Sequence, residues 1–345
     1  MSKILLKKSD LDKLIESVRA TGAVFVGPAD EAGNVVYKEI ESAGEMRTDY
    51  IIPANTYKQW VFPQTEVVAT FAVTKDSLDL DGVELDPGET VVFGARACEA
   101  ASFASLRSVF TWGEDDEFYT RREDKTIVIT VGCTEIDDEC FCTTVELSPA
   151  STTGSDLYLR ETKEGDYQAT AITEKGKGFL SKHKALFSEI KSAEPALIDL
   201  KLPEPVEGAD TEKIKAWLSR TDNYQNELWS KLTRKCFGCG ACTFSCPTCH
   251  CFDITDEGTA FGGERRKNWD ACQFDHFTAH ASGHNPRDTQ FKRWRNRFMC
   301  KFKYYPDKFK STGCVGCGRC IRVCPVRLDI TEVMEEITTI SGQKT

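Results

Sequence analysis

Two twelve-residue stretches of this 345-residue chain repeat one cysteine spacing, and they limit what it can fold into more than any other feature. The first reads Cys236-Phe-Gly-Cys239-Gly-Ala-Cys242-Thr-Phe-Ser-Cys246-Pro247, the second Cys314-Val-Gly-Cys317-Gly-Arg-Cys320-Ile-Arg-Val-Cys324-Pro325. Both fit C-x2-C-x2-C-x3-C-P, the run that wraps a [4Fe-4S] cubane. Three thiolates reach three irons of one cubane, and the small residues Gly238, Gly240, Gly316 and Gly318 let backbone amides approach the sulfides. The fourth cysteine is read as starting a helix that points away, so that it ligates the neighbouring cubane. The expected sets are therefore Cys236, Cys239, Cys242 and Cys324 for one cluster, and Cys314, Cys317, Cys320 and Cys246 for the other. C-x2-C pairs also bind zinc, but zinc needs neither the third and fourth cysteines at these offsets nor the proline.

The chain holds sixteen cysteines. A reducing cytoplasm does not keep that many as disulfides, and clustered cysteines there bind metal or do redox chemistry. The N-terminus lacks the apolar core and cleavage site of a secretory signal, and no stretch approaches the length of a membrane span. A cytoplasmic protein, away from membranes, in an anaerobic or microaerobic cell is expected. With 40% hydrophobic and 28% charged residues the composition is that of a soluble globular protein, and the net charge of −10 argues against nucleic acid as the main partner.

The N-terminal part reads as α/β, or α+β. A helix is expected from the Ser9-Asp10-Leu11 cap to about Arg19, with Leu11, Leu14, Ile15 and Val18 on one face. Short strands follow at Val24 to Val26, Val35 to Tyr37 and Val67 to Val73. The continuous apolar runs Thr90 to Phe93 and Thr126 to Val131 have the look of strands buried on both faces. With a helix over Glu99 to Phe110 between them, they form a βαβ unit and should be parallel. Two more strands, Leu157 to Arg160 and Tyr167 to Ile172, flank a turn at Glu164-Gly165-Asp166, and a helix near Glu174 to Ile190 closes the domain. The stretch from Glu194 to Gly208 has three prolines and no periodicity. The division is thus 1–195, an α/β domain; 196–210, a linker; and 211–345, a mainly α, ferredoxin-like dicluster domain with a large insertion at 247–313. A helix over Thr211 to Arg220 opens that domain, and one carrying Ile330, Val333, Met334 and Ile337 packs back over the clusters.

Cys98 and Cys133 fall just past the ends of the two central strands, with Cys140 and Cys142 close behind. Parallel strands present their C-terminal ends on one sheet edge, where open α/β folds build sites. A third [4Fe-4S] cluster on these four is the preferred reading; the alternatives are buried small side chains or a single zinc. Cys249, Cys251 and Cys272 either bind another metal or tune the nearby cluster through S–H contacts. Cys300 has no partner at a ligand spacing and reads as a core thiol. His276, His280 and His284 recur every fourth residue, which puts the first two on one helical face until Gly283 ends the helix; packing or surface roles are favoured over metal binding.

From Phe291 to Lys310 the chain carries eight lysines and arginines against one acid, Asp307, interleaved with aromatics. Cations beside anionic clusters and a partner fit this stretch better than nucleic acid does. There is no G-x-G-x-x-G after a strand, no P-loop, no H-E-x-x-H and no G-x-S-x-G, so no flavin or nucleotide site is expected in this chain.

The segments CPTCHC (Cys246 to Cys251), GGERRKNWDAC (Gly262 to Cys272), ASGHNPR (Ala281 to Arg287), RWRNRFMCKFKYYP (Arg293 to Pro306) and CVGCGRCIRVCP resemble the β subunit of sulfhydrogenases and the A subunit of anaerobic sulfite reductases. Upstream, FPQTE (Phe62 to Glu66), GARAC (Gly94 to Cys98) and CFC (Cys140 to Cys142) are similar to the same family's N-terminal half. The resemblance implies an electron-transfer subunit between a flavin-containing, NAD(P)H-reactive partner and a catalytic subunit, which is a hydrogenase, a sulfite reductase or a heterodisulfide-reductase-like protein. Two other functions fit the residues: an N-terminal iron–sulfur site with an open coordination position that turns over a small molecule, and a metal-stabilised scaffold without redox turnover.

Overall fold

A computed structural model describes residues 4–190, 195–311 and 313–342. Glu194, the first residue of the proline-containing stretch, lies outside them. Twelve strands are present among the described residues. In chain order they are β1 (Ile4–Leu6), β2 (Val24–Glu31), β3 (Asn34–Glu39), β4 (Thr65–Val73), β5 (Leu78–Gly82), β6 (Thr90–Ala95), β7 (Thr126–Val131), β8 (Leu157–Glu161), β9 (Tyr167–Ala171), β10 (Phe187–Glu189), β11 (Phe252–Thr259) and β12 (Gly262–Trp269).

Eight strands form one mixed sheet in the order β10-β1-β9-β8-β7-β6-β2-β3. Its centre, β2, β6, β7 and β8, is parallel, and its flanks are antiparallel. β6 and β7 are the βαβ pair read from the sequence, and their uninterrupted apolar runs follow from burial on both faces. Val91, Phe93, Ile129 and Val131 pack into a core with Leu14 and Ile15 of the helix Leu11–Arg19 and with Phe179. Val92 and Val128 face the opposite core, with Phe103, Leu106 and Phe110 of the helix Ser102–Phe110. Alternation along one strand thus serves two cores.

The helix expected over Glu174 to Ile190 is shorter. It spans Glu174–Lys182, and the chain then makes a single turn and enters β10, which pairs with β1 at the sheet edge. Phe187 supplies the reason, because its ring meets Phe179 only if the backbone reverses.

A second, four-stranded antiparallel sheet has the order β11-β12-β4-β5. Here the hairpin of the 247–313 insertion pairs with a strand of the N-terminal half, Asn268 opposite Thr65 and Gly262 opposite Ala72. Beneath it the buried Lys267 pairs with Glu66 at 2.7 Å and Asp116 at 2.9 Å, and Glu66 also receives Arg122 at 2.5 Å. Each charge in this network has its opposite, as burial requires.

The helices of the C-terminal region include Thr211–Leu218, Leu228–Leu232, Gln290–Met299 and Ile330–Gly342. Asp210 caps the first by accepting from the Lys213 amide at 3.0 Å. Trp217, Trp229, Trp294 and Phe298 share a core with Ile330, Val333, Met334 and Ile337. The 195–210 stretch runs extended over the N-terminal half, with the amides of Ile198 and Lys201 donating to the carbonyls of Glu161 and Cys133 at 2.9 Å each. His276, His280 and His284 do not lie on a helix. His276 falls in the tight turn His276–Thr278, and Ser282-Gly283 and Pro286 keep the rest to loose turns. Among the described residues no helix is long and apolar enough to cross a membrane.

Candidate iron–sulfur centres

Cys236, Cys239, Cys242 and Cys324 line one small cavity. In each run a short helix, Ala241–Phe244 or Arg319–Arg322, carries the chain from the third cysteine to the fourth, so the fourth follows a helix rather than starting one. That turn swings Cys324 toward the first run. The sulfurs are met by N–H groups: Gln290 Nε2 donates to Cys236 Sγ at 3.3 Å and the Leu328 amide to Cys324 Sγ at 3.2 Å. Gly238 sits at φ +76°, a left-handed backbone that calls for glycine.

Cys246 comes to the head of the second run, where the Thr248 hydroxyl donates to the Gly313 carbonyl at 2.6 Å. Lys301 Nζ donates to Cys246 Sγ at 3.2 Å and to the Gly313 carbonyl at 3.0 Å. This second set is wedged between others. Its Cys320 also lines the cavity of Cys236, while its Cys317 lines a third cavity.

That third cavity is lined by Cys98, Cys133, Cys140 and Cys142. Parallel β6 and β7 end side by side, which brings Cys98 and Cys133 to one edge. The loop bearing the other two is held by the second run, the Phe141 amide donating to the Gly316 carbonyl at 2.9 Å. Arg319 and Arg322, which occupy variable positions of that run, also reach across. Arg319 pairs with Glu99 at 2.5 Å, both nearly inaccessible, and Arg322 pairs with Asp137 and donates to Cys140 Sγ at 3.4 Å. The buried Arg96 guanidinium stacks 4.0 Å over the Tyr50 ring at the same site.

Burial pushes the thiols of Cys142, Cys242 and Cys314 up to about 12 and that of Cys140 up to about 11. They hold their protons until a metal displaces them. Among the described residues no three His, Cys, Asp or Glu side chains converge closely enough to hold a single metal ion. A cubane gives each thiolate its own iron, so the four sulfurs that hold one surround a volume instead of meeting at a point.

Cys249, Cys251 and Cys272 also come together, with Cys300, which is half-buried against them rather than enclosed in a core. Sequence reading missed Lys58, whose Nζ donates to the carbonyls of Cys246 and Cys249 at 2.9 and 2.8 Å from a segment with no metal signature. It missed Glu99 as well, although its place one residue after Cys98 was a signal. The cationic stretch was read correctly in part: Arg297 donates to the Cys242 carbonyl at 3.3 Å, and Lys301 to Cys246.

Residues 235–328 match the family described as the 4Fe-4S dicluster domain. The chain is 27% identical over 349 aligned residues to sulfhydrogenase 2 subunit beta of Pyrococcus furiosus, with 98% of each protein covered. The resemblance drawn from the motifs therefore runs the length of the chain. No solved structure matches it.

Proposed function

We propose that this chain is the iron–sulfur electron-transfer subunit of an anaerobic, cytoplasmic oxidoreductase complex. Its partners would be a flavin-containing, NAD(P)H-reactive subunit and a catalytic subunit of hydrogenase, sulfite-reductase or heterodisulfide-reductase type. One observation carries this reading: three sets of four cysteines, two of them lining cavities of their own, adjoin one another through shared residues, Cys320 between the first and second and Cys317 between the second and third. One-electron transfer is the chemistry such clusters supply when bound. Cys236, Cys239, Cys242 and Cys324 would hold the first, Cys314, Cys317, Cys320 and Cys246 the second, and Cys98, Cys133, Cys140 and Cys142 the third.

The protein groups around them set the environment. Arg96, Arg297, Lys301 and Arg322 place positive charge and N–H donors against the cysteine segments, which favours the more negative, reduced state. Cys246 and Cys314 of the second set are buried, while Cys239 is exposed and the neighbouring Phe237 is 64% accessible, so the first set supplies a face for exchange with a partner. Four cysteines around the N-terminal cavity support a relay over a turnover site with an open iron. The chain would divide into an α/β domain, 1–195, a linker, 196–210, and a dicluster domain, 211–345, whose β11–β12 hairpin pairs with β4 of the first.

The test is anaerobic isolation of the chain with whatever co-purifies, followed by iron and sulfide analysis and a redox titration monitored by electron paramagnetic resonance. Reversible cluster signals and a flavoprotein partner are expected. Zinc in place of iron, or clusters that do not cycle, would sink the reading.

A further inference from the structure

After the three sets are assigned, four of the sixteen cysteines remain, and the fold gathers all four at one cavity of about 350 Å³. The feet of the β11–β12 hairpin bring three of them. Phe252 is paired with Trp269, and the Asp270 amide donates to the Cys251 carbonyl at 3.0 Å, so the chain entering the hairpin (Cys249, Cys251) runs beside the chain leaving it (Cys272). Cys272 is buried there, and Gln273 Nε2 donates to its Sγ at 3.6 Å. The fourth comes from the continuation of the helix that begins at Gln290. At Cys300–Tyr304 this helix widens into a π-turn, an irregularity that recurs at functional sites. Arg297, Cys300, Lys301 and Tyr304, at offsets of three, four and seven, face the cavity together.

The charges around the cavity are one-sided. Lys58, Arg297 and Lys301 are at most 4% accessible, and among the described residues no carboxylate lies within ion-pair distance of any of them. Lys58 Nζ donates only to two carbonyls and stacks 4.0 Å over Trp269, and the Arg297 Nε is buried with no acceptor. Buried cations need an anion. The second set meets part of that need through Cys246. Lys301, however, spans both places, 3.2 Å from Cys246 Sγ and 3.9 Å from Cys249 Sγ. An anion on the cavity side completes the balance, and four thiolates around an iron–sulfide core supply one.

We propose that Cys249, Cys251, Cys272 and Cys300 hold a fourth [4Fe-4S] cluster in this cavity, beside the second set. All sixteen cysteines then fall into four sets of four. The inference rests on the relay reading and extends it: the second set adjoins three others, so the relay has a branch. The cavity is wider than those of the first and third sets, at about 350 Å³ against about 30 and 20 Å³, which leaves this fourth set open to a partner on one side.

The experiment uses the full-length chain isolated anaerobically. Wild type is expected to hold about sixteen irons and as many sulfides. The Cys251→Ser/Cys272→Ser variant should hold about four fewer, with the reduced-state paramagnetic signals of the other clusters kept. Because Cys272 is buried and its loss could disturb folding, Cys300→Ser is read in parallel. Losing one thiolate should leave a three-iron cluster, seen as a new signal in the oxidised protein. A wild-type count of about twelve irons that the substitutions leave unchanged overturns the fourth cluster while the relay stands. Zinc or a two-iron cluster at the site also overturns it, and a wild type free of iron removes the relay itself.

Discussion

The cysteine runs and the N-terminal cysteine set build similar sites by opposite routes. In a run, three thiolates recur at every third residue and a short helix delivers the fourth, so the local chain nearly suffices. In the N-terminal set, Cys98 and Cys133 meet only because β6 and β7 pair in parallel, and Cys140 and Cys142 are placed by contacts with Gly316 and Arg322 of the second run. A site of the first kind tolerates distant damage. One of the second kind inherits the stability of everything that assembles it.

The strongest way to break this contrast is at the Arg319–Glu99 pair, which spans the two regions and is almost wholly inaccessible. Arg319→Met leaves the Glu99 carboxylate buried without a cation, with the Tyr57 amide still donating to it at 3.1 Å, and a loss of about 3–5 kcal/mol is expected in anaerobic denaturant unfolding. The N-terminal iron should go first. Adding Glu99→Gln should restore much of the loss; if the double variant is no more stable than the single, the pair is not the cause.

A smaller effect is expected at Gly316. It has φ +62°, and a Cβ there would stand 2.5 Å from the Cys142 backbone. For Gly316→Ala the left-handed backbone alone costs about 1–2 kcal/mol, and the contact pushes the Cys140–Cys142 loop outward. Cluster counting should show the N-terminal set depleted while the first run keeps its iron. Equal depletion of both would mean that the two regions are not distinguishable in this way.

The smallest effect concerns acid. Burial lowers the pKa of His183, which is hydrogen-bonded to Ser17 at 2.9 Å in the N-terminal layer. A histidine with a depressed native value binds its proton more readily when unfolded. Its contribution to stability is therefore full above about pH 6.5 and declines as pH falls from there toward the native value. Thermal unfolding of His183→Gln should show a shallower decline over that window than wild type. Parallel curves would assign the acid sensitivity elsewhere.

How much of this was legible follows from how local each feature is. The meeting of Cys236, Cys239, Cys242 and Cys324, the β6–β7 pair and the helix Ile330–Gly342 were readable because spacing and periodicity within a short window determine them. Convergence of Cys98, Cys133, Cys140 and Cys142 was readable one step further, through the rule that parallel strands share an edge. The β11–β12 hairpin was missed because its exposed face weakens the apolar alternation and its partner β4 is remote in sequence. Cys300 was set aside for having no neighbour at a ligand spacing, yet Arg297, Cys300, Lys301 and Tyr304 recur at the helical interval, and that was the available signal. The lone Lys58 carried none.

The pairing of β4 with β12 sets an order of events during synthesis. When Val73 leaves the ribosome, one side of its strand has β5 to pair with, but the other must wait for Gly262 to Trp269. At ordinary translation rates the roughly 190 intervening residues take about ten to forty seconds, and for that interval a nascent edge is open to other chains. Closing it late places the hairpin, and the three cysteines at its feet, only after every strand of the eight-stranded sheet has been synthesised.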